Sequence, residues 1–313
     1  MANNHTLFEQ FNSEISIPGP KQAKMAKSRE TVRERIRNWF AENHPDYVPY
    51  FYIQGSNKMK TGIRTKDDIC DVDDGVYFFR KPDVTPFTLQ SWVLQAVNGH
   101  TDTPPQHKEK CIRLIFAGDY ELDMPVYYSE NKETFYLATK SNGWRGDDPR
   151  EMVDWFNEQK DKDGHLIKMV KYLKAWGDYK RNKMPNGLAM TILAANAKSK
   201  FIYNDRDDIN LRDTLKEIQK ALHPSFTCIV PAVPNDDLFA EYDPTRKDNF
   251  LTALDEFLKD ADAAIREPNE QNASKLWRKH LGDRFPLGED KEDTMISNPA
   301  LIAGSKGSRP YGR

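Results

Sequence analysis

Asp71 and Asp73 stand two residues apart in the run Cys70-Asp-Val-Asp-Asp-Gly-Val76. On a strand, residues two apart project from the same face, so the two carboxylates converge on one point. Carboxylates aimed at one place repel each other and are costly to ionise unless a cation sits between them. Ahead of them, Phe51-Tyr-Ile-Gln-Gly-Ser-Asn57 reads as an apolar strand ending in Gly55-Ser56. A Gly-Ser turn leading into a helix offers backbone N–H groups to a phosphate. A third acid, Asp123, lies inside the otherwise apolar run Glu121-Leu-Asp-Met-Pro-Val126. Taken alone it also reads as an edge-strand surface charge. Three acids on neighbouring strands beside a phosphate-binding turn meet the needs of two-metal phosphoryl or nucleotidyl transfer. In that chemistry carboxylates bridge two Mg²⁺ ions, one lowering the pKa of an attacking hydroxyl and the other stabilising the leaving pyrophosphate. Asp123 is placed to take the proton of that hydroxyl.

These residues need elements to carry them. Residues 1–27 are polar with a Pro18-Gly19-Pro20 breaker, and Ser28 reads as the cap of a helix through Glu42, with Val32, Ile36, Trp39 and Phe40 on its apolar face. Seven basic residues between Lys21 and Arg37 form either a solvated helix face or a polyphosphate patch. Tyr50–Gln54 and Asp71–Phe79 read as strands, Thr88–Asn98 as a helix, and Cys111–Ala117 with Glu121–Tyr128 as a hairpin about Gly118-Asp119. Glu133–Thr139 adds a further strand. The second half is helical: Asp148-Pro149 opens a helix through Phe156, followed by Leu166–Lys180, Leu188–Ser199, Asp207–Leu222, Phe250–Arg266 and Ser274–Leu281.

Composition narrows the function classes. A chain of 313 residues is long enough for one large or two medium domains. It holds no run of about eighteen apolar residues, which argues against a membrane span, and its N-terminus lacks the basic and apolar regions of a secretion signal. Three widely spaced cysteines (Cys70, Cys111, Cys228) form neither a disulfide framework nor a zinc pair, as expected in a reducing cytoplasm. A net charge of −2 favours small substrates over long nucleic acid.

Gly55-Ser56, Asp71-Val-Asp73 and Asp123 follow the pattern of the polymerase β-type nucleotidyltransferase superfamily. Leu173-Lys-Ala-Trp176 with Lys183-Met-Pro-Asn-Gly-Leu-Ala-Met190, and Gly282-Asp-Arg-Phe-Pro286 near the end, resemble segments of the bacterial cGAS/DncV-like nucleotidyltransferases. The resemblance spans roughly residues 28–286. It implies an α+β, bilobed cytoplasmic enzyme with a mixed-sheet catalytic lobe, a helical lobe and a long N-terminal spine helix. The implied division is a flexible segment over 1–27, the catalytic lobe with its spine helix over 28–147, the helical lobe closing the cleft over 148–286, and a disordered tail over 287–313. It implies that nucleoside triphosphates, ATP and GTP, are joined into a cyclic di- or trinucleotide in anti-phage defence, with a separate effector protein responding to the product. A template-independent polymerising or RNA-directed nucleotidyltransferase, or an inactive nucleotide-binding module, is the alternative.

Carried over residue by residue, Asp71, Asp73 and Asp123 match the catalytic, metal-binding triad for two Mg²⁺ ions, with Mn²⁺ as a substitute. Gly55 and Ser56 match the triphosphate turn, Lys174 a phosphate-neutralising cation, and Asn186 a phosphate-bonding residue at the start of the next helix. Gly187 departs from the pattern, since several animal relatives stack a base on a Tyr there. Tyr77 and Tyr127 are alternative stacking residues or core aromatics. Lys58, Lys60 and Arg64 belong either near the triphosphate or on a helix surface. No His-Cys-Cys-Cys cluster exists in the sequence, so a zinc module is not expected, and neither is activation by nucleic acid. The end, Tyr311-Gly-Arg313, is either a flexible terminus or a point of attachment to another protein.

Overall fold

In the computed structural model, which describes residues 2–291, the first half folds around one strand. Among the described residues the elements in chain order are α1 (His5–Ile15), α2 (Gly19–Asn43), β1 (Pro49–Ile53), α3 (Gly55–Met59), β2 (Cys70–Phe78), α4 (Pro86–Val97), β3 (Gln106–His107), β4 (Ile112–Phe116), β5 (Tyr120–Met124), β6 (Val126–Tyr128), β7 (Tyr136–Ala138) and β8 (Trp144–Gly146). Helices then follow without interruption by strands: α5 (Pro149–Gln159), α6 (His165–Lys180), α7 (Gly187–Lys198), α8 (Asp207–Leu222), α9 (Pro244–Arg266) and α10 (Glu270–Leu281). The fold is α+β and bilobed, with α2 as the long N-terminal helix.

β2 lies at the centre of a mixed sheet ordered β3-β4-β5-β2-β6-β7-β8, with β1 on its other edge. It runs parallel to β5 along Cys70–Asp73 and parallel to β6 along Val76–Phe78, and antiparallel to β1 along Asp74–Phe78. Pro125 separates β5 from β6 because it has no N–H to give the ladder, yet its carbonyl still accepts from Val76 N at 2.8 Å. Strand alternation sends Val72, Val76 and Phe78 to one face, where they meet Val32, Ile36 and Phe40 of α2 and Leu89 and Val93 of α4 in one buried core. Asp71 and Asp73 point the other way. Asp74 points with the core residues and is neutralised there by Arg33, whose Nε donates to Asp74 Oδ2 at 2.7 Å.

The helical lobe has its own core, built from Leu173 and Trp176 of α6, Leu211 and Leu215 of α8, Phe257 of α9 and Trp277 of α10. α1 belongs to this core, which corrects the expectation of a flexible segment over 1–27. Leu7, Phe8, Phe11 and Ile15 are buried at a spacing that makes a stripe along an otherwise polar helix. Phe8 sits edge-on to Tyr172, Trp277 and Phe285. Among the bonds that hold the segment, Tyr172 Oη donates to Phe8 O at 3.1 Å, and Trp277 Nε1 to Asn4 Oδ1 at 3.0 Å. α2 also begins nine residues before Ser28, at Gly19, because Pro20 is compatible with a first helical turn. Likewise α9 starts at Pro244 under an Asp243 cap and α10 at Glu270 under an Asn269 cap, both earlier than apolar periodicity alone suggests.

The closing stretch Gly282–Pro286 ties the lobes. Phe285 is fully buried in the helical core, and Arg284 donates to Arg64 O at 2.5 Å and to Asp178 Oδ2 at 2.9 Å. Asp178 Oδ2 also accepts from Lys66 N at 2.7 Å, so a residue of α6 holds the loop that follows α3. Gly288 N bonds Ser274 Oγ at 2.9 Å. From residue 292 onward, the expected disordered tail and the attachment point at Arg313 lie outside the described residues. No helix among the described residues is long and apolar enough to cross a membrane.

Candidate active site

The register of two parallel strands assembles the acids. Asp71 pairs with Glu121 and Asp73 with Asp123 across β2 and β5, so all four carboxylates stand on one face. Asp71, Asp73 and Asp123 line a single cavity of about 680 Å³ between the lobes. Gly55, Ser56 and Lys174 line the same cavity.

Gly55 is where the turn comes closest to the acids. Its φ is +56°, a conformation that costs other L-residues about 1–2 kcal/mol. A Cβ placed on it would overlap Asp73 Oδ2 and lie 3.1 Å from Asp73 Cγ. Only a residue without a side chain lets the start of α3 lie against the carboxylate. The first amides of α3 lack intrahelical acceptors.

Electrostatics of the four acids is uneven. Burial, and then the charges of Asp123 and Asp71, lift Asp73 to a pKa of about 6. Asp71 is also raised, by burial first, with Arg113 pulling it down and Glu121 and Asp123 pushing it up. Lys174 reaches in from α6 and donates to Thr61 O and Thr61 Oγ1, both at 3.1 Å. Burial lowers it to about 8, against the pull of Asp73 and Asp71.

Arg113 on β4 escaped the sequence reading. It lies opposite Asp123 in the hairpin and grips that carboxylate with both prongs of its fork, Nε to Oδ1 and Nη2 to Oδ2, each at 2.7 Å. Its Nη1 donates to Glu121 as well. The signal was present as a lone cation in an apolar run whose hairpin partner carries Asp123. Burial, and then Asp123, push the neighbouring Cys111 thiol up to about 12, so it is no nucleophile at neutral pH.

Several residues singled out from sequence fall elsewhere. Asn186 is exposed and caps α7, its Oδ1 accepting from Ala189 N at 2.9 Å, and it is not among the residues lining the cavity. Gly187 gains a reason: a Cβ there would stand 3.2 Å from Lys174 Cε, so its absence gives the lysine stem room. Tyr77 and Tyr127 are buried and stack on each other at 4.8 Å, core aromatics of which Tyr127 also lines the cavity. Lys58 and Lys60 are exposed, and Arg64 is taken up by Glu14 at 2.6 Å. None of the three lines the cavity.

The donor set of the triad suits a hard cation, since ionised carboxylates offer oxygen acceptors only. Asp73 is lifted by burial first and then by the neighbouring carboxylates, and a bound cation would offset both. Elsewhere, ligand atoms of Asp161, Asp163 and His165 lie within 4.8 Å of one another. Asp161 is occupied there in accepting from His165 N and Leu166 N, both at 2.8 Å, the first two amides of α6.

Residues 49–127 match the family model described as cyclic GMP-AMP synthase DncV-like, nucleotidyltransferase domain. Solved structures with the same fold include Vibrio cholerae DncV cyclic AMP-GMP synthase, at TM-score 0.79 and 17% identity, covering 91% of this chain and 97% of that one. The same enzyme in complex with the linear intermediate 5′ pppA(3′,5′)pG gives TM-score 0.80 at 16% identity, covering 92% and 99%. Escherichia coli DncV in its 3′-deoxy GTP bound form gives 0.75 at 18%, covering 87% and 93%.

Proposed function

We propose that this chain, which carries a DncV-like nucleotidyltransferase domain within the DncV fold, joins nucleoside triphosphates into a cyclic di- or trinucleotide and releases pyrophosphate at each bond. One observation carries the reading: Asp71, Asp73 and Asp123 share one face of two parallel strands against the Gly55–Ser56 turn, with Lys174 arriving from the other lobe. Gly55 and Ser56 take triphosphate oxygens on backbone N–H groups at the start of α3. Lys174 neutralises phosphate charge as a compact cation.

Asp71, Asp73 and Asp123 are the residues that would hold two Mg²⁺ ions, or Mn²⁺ in their place. Bound there, the ions supply Lewis-acid activation of the acceptor hydroxyl and neutralise the leaving pyrophosphate. Asp123 accepts the proton of that hydroxyl as its oxygen bonds the α-phosphorus and the bond to the β-phosphate oxygen breaks. Arg113 leaves it able to do so, because each carboxylate oxygen has a second acceptor site. A second transfer, from the free hydroxyl of the linear product to its own triphosphate, closes the ring.

ATP and GTP are the substrates we propose, on the likeness to enzymes whose structures hold GTP and a linear A–G product. The resemblance further supports a cytoplasmic role in bacterial anti-phage defence, in which the product acts on a separate effector protein and the C-terminal end is joined to a partner. The near-neutral charge supports activity without a nucleic-acid trigger. The test is incubation of the purified chain with labelled ATP, GTP, CTP and UTP plus Mg²⁺, followed by phosphatase. A small phosphatase-resistant product is expected. Ladders extended on added RNA would instead identify a polymerising enzyme, and absence of turnover an inactive binding module.

A further inference from the structure

The cavity continues past the triad into a region that the phosphate chemistry does not use. Its walls there come from β7, α5 and the segment between α8 and α9, with Leu137, Met152, Val153 and Val233 supplying apolar surface. That segment is held against α5 by a bond from Val233 N to Glu151 Oε2 at 2.8 Å. Asp147, Lys110 and the ion-paired Arg145 and Asp236 also line the cavity. Apolar walls with a few convergent polar groups, continuous with the reacting centre, suit a flat heteroaromatic ring.

Asp147 and Asp148 are adjacent in sequence but do different work. Asp148 caps α5, accepting from Arg150 N at 3.0 Å, and pairs with the Arg150 guanidinium at 2.7 Å. The Asp147 carboxylate makes no hydrogen bond and no ion pair to any described residue. Its backbone is nevertheless fixed, with Asp147 N donating to Phe135 O at 3.2 Å. Burial lifts its pKa to about 6, with Lys110 and Arg145 pulling it back. A half-buried carboxylate without protein donors, facing the cavity, is free to accept hydrogen bonds from a ligand there.

We infer that Asp147 is a specificity-determining residue that reads the Watson–Crick edge of a guanine. An ionised carboxylate only accepts, and guanine alone among the four bases presents two adjacent donors, N1–H and N2–H, on that edge. Adenine and cytosine each place a ring-nitrogen acceptor beside their amino group, and uracil flanks its N–H with two carbonyls, so each turns a lone pair toward the carboxylate. Lys110 carries the positive charge that suits guanine O6. A carboxylate shut off from water by the bound base discriminates against an edge that cannot donate to it. This rests on the cavity being a nucleoside triphosphate site, as proposed above.

The test compares equilibrium binding and turnover of GTP, ITP and ATP. ITP lacks only the 2-amino group. The wild-type chain is expected to bind GTP about tenfold or more tighter than ITP and ATP. Asp147→Asn exchanges one acceptor for a donor and should bring GTP to within threefold of ITP while improving ATP; Asp147→Ala should lose the GTP preference without the gain for ATP. Equal wild-type affinity for GTP and ITP overturns the inference without needing any variant. Product formed from nucleotides irrespective of the 2-amino group would sink the guanine assignment and leave the synthase reading standing. Absence of both binding and turnover with every triphosphate would remove both.

Discussion

Replacing Gly55 by alanine perturbs the site at its tightest point. Two costs follow from the geometry. The φ of +56° imposes about 1–2 kcal/mol of backbone strain on any residue with a Cβ. The new methyl would also overlap Asp73 Oδ2 and stand 3.1 Å from Asp73 Cγ. To recover ordinary contact the carboxylate or the turn must retreat by about 1 Å, and a misplacement of that size at a reacting centre costs about a hundredfold in rate. Gly99 is the control, because its φ is +72° and nothing lies within 4 Å of a Cβ placed there. Pyrophosphate release and thermal denaturation of both variants separate strain from clash. Both should lose about 1–2 kcal/mol of stability, and only Gly55→Ala should lose about two orders of magnitude in turnover. Gly55→Ala within threefold of the wild-type rate, or Gly99→Ala falling as far, would refute the reasoning.

Three further outcomes are expected. Arg113→Gln removes the counter-ion of Asp123 and Glu121 and should lower kcat by about ten- to a hundredfold, with Arg113→Lys recovering part of it; unchanged kcat across a Mg²⁺ titration would assign the arginine to stability alone. Asp73 has its folded pKa raised from 3.8 to about 6, so it costs nothing below the unfolded value and destabilises as pH rises through that window. At neutral pH the penalty is at most about 3 kcal/mol, less what cleft solvent screens. Metal-free Asp73→Asn should therefore melt a few degrees above metal-free wild type at pH 7.5 and gain less from Mg²⁺, and equal melting points with equal metal response would contradict this. Lys174, lowered from 10.5 to about 8, is protonated below that pH, so triphosphate affinity should weaken as pH climbs from 7 to 9. Lys174→Arg should flatten the dependence, and a wild-type profile already flat over that range would count against the lysine.

Asp71 and Asp73 were legible because strand alternation is written in residue order. Asp123 was legible because it is an acid inside an apolar run that completes the superfamily pattern; the parallel register that sets it opposite Asp73 was not. Gly55-Ser56 was legible for the same local reason. Arg113 was not, because its role depends on which hairpin residue faces Asp123, and register across a turn is a tertiary fact. Asn186 was legible only as a residue at the start of a helix, and its Oδ1 serves its own backbone there. α1 was hidden by polarity. Its four apolar residues look sparse in a run of Thr, Glu, Gln, Asn and Ser, yet they are what the helical lobe needs to cover Tyr172 and Trp277. Gly187 read as a missing aromatic, whereas its neighbour Lys174 explains the glycine.

The central claim is that Asp71 and Asp73 perform the transfer chemistry. The direct measurement is cyclic product formation by the double variant Asp71→Asn with Asp73→Asn, beside its melting curve and its triphosphate affinity. The account predicts a folded protein that still engages triphosphate through Lys174 and the Gly55–Ser56 turn and forms no detectable product at any Mg²⁺ or Mn²⁺ concentration. Product made by that variant at a rate near wild type would contradict it.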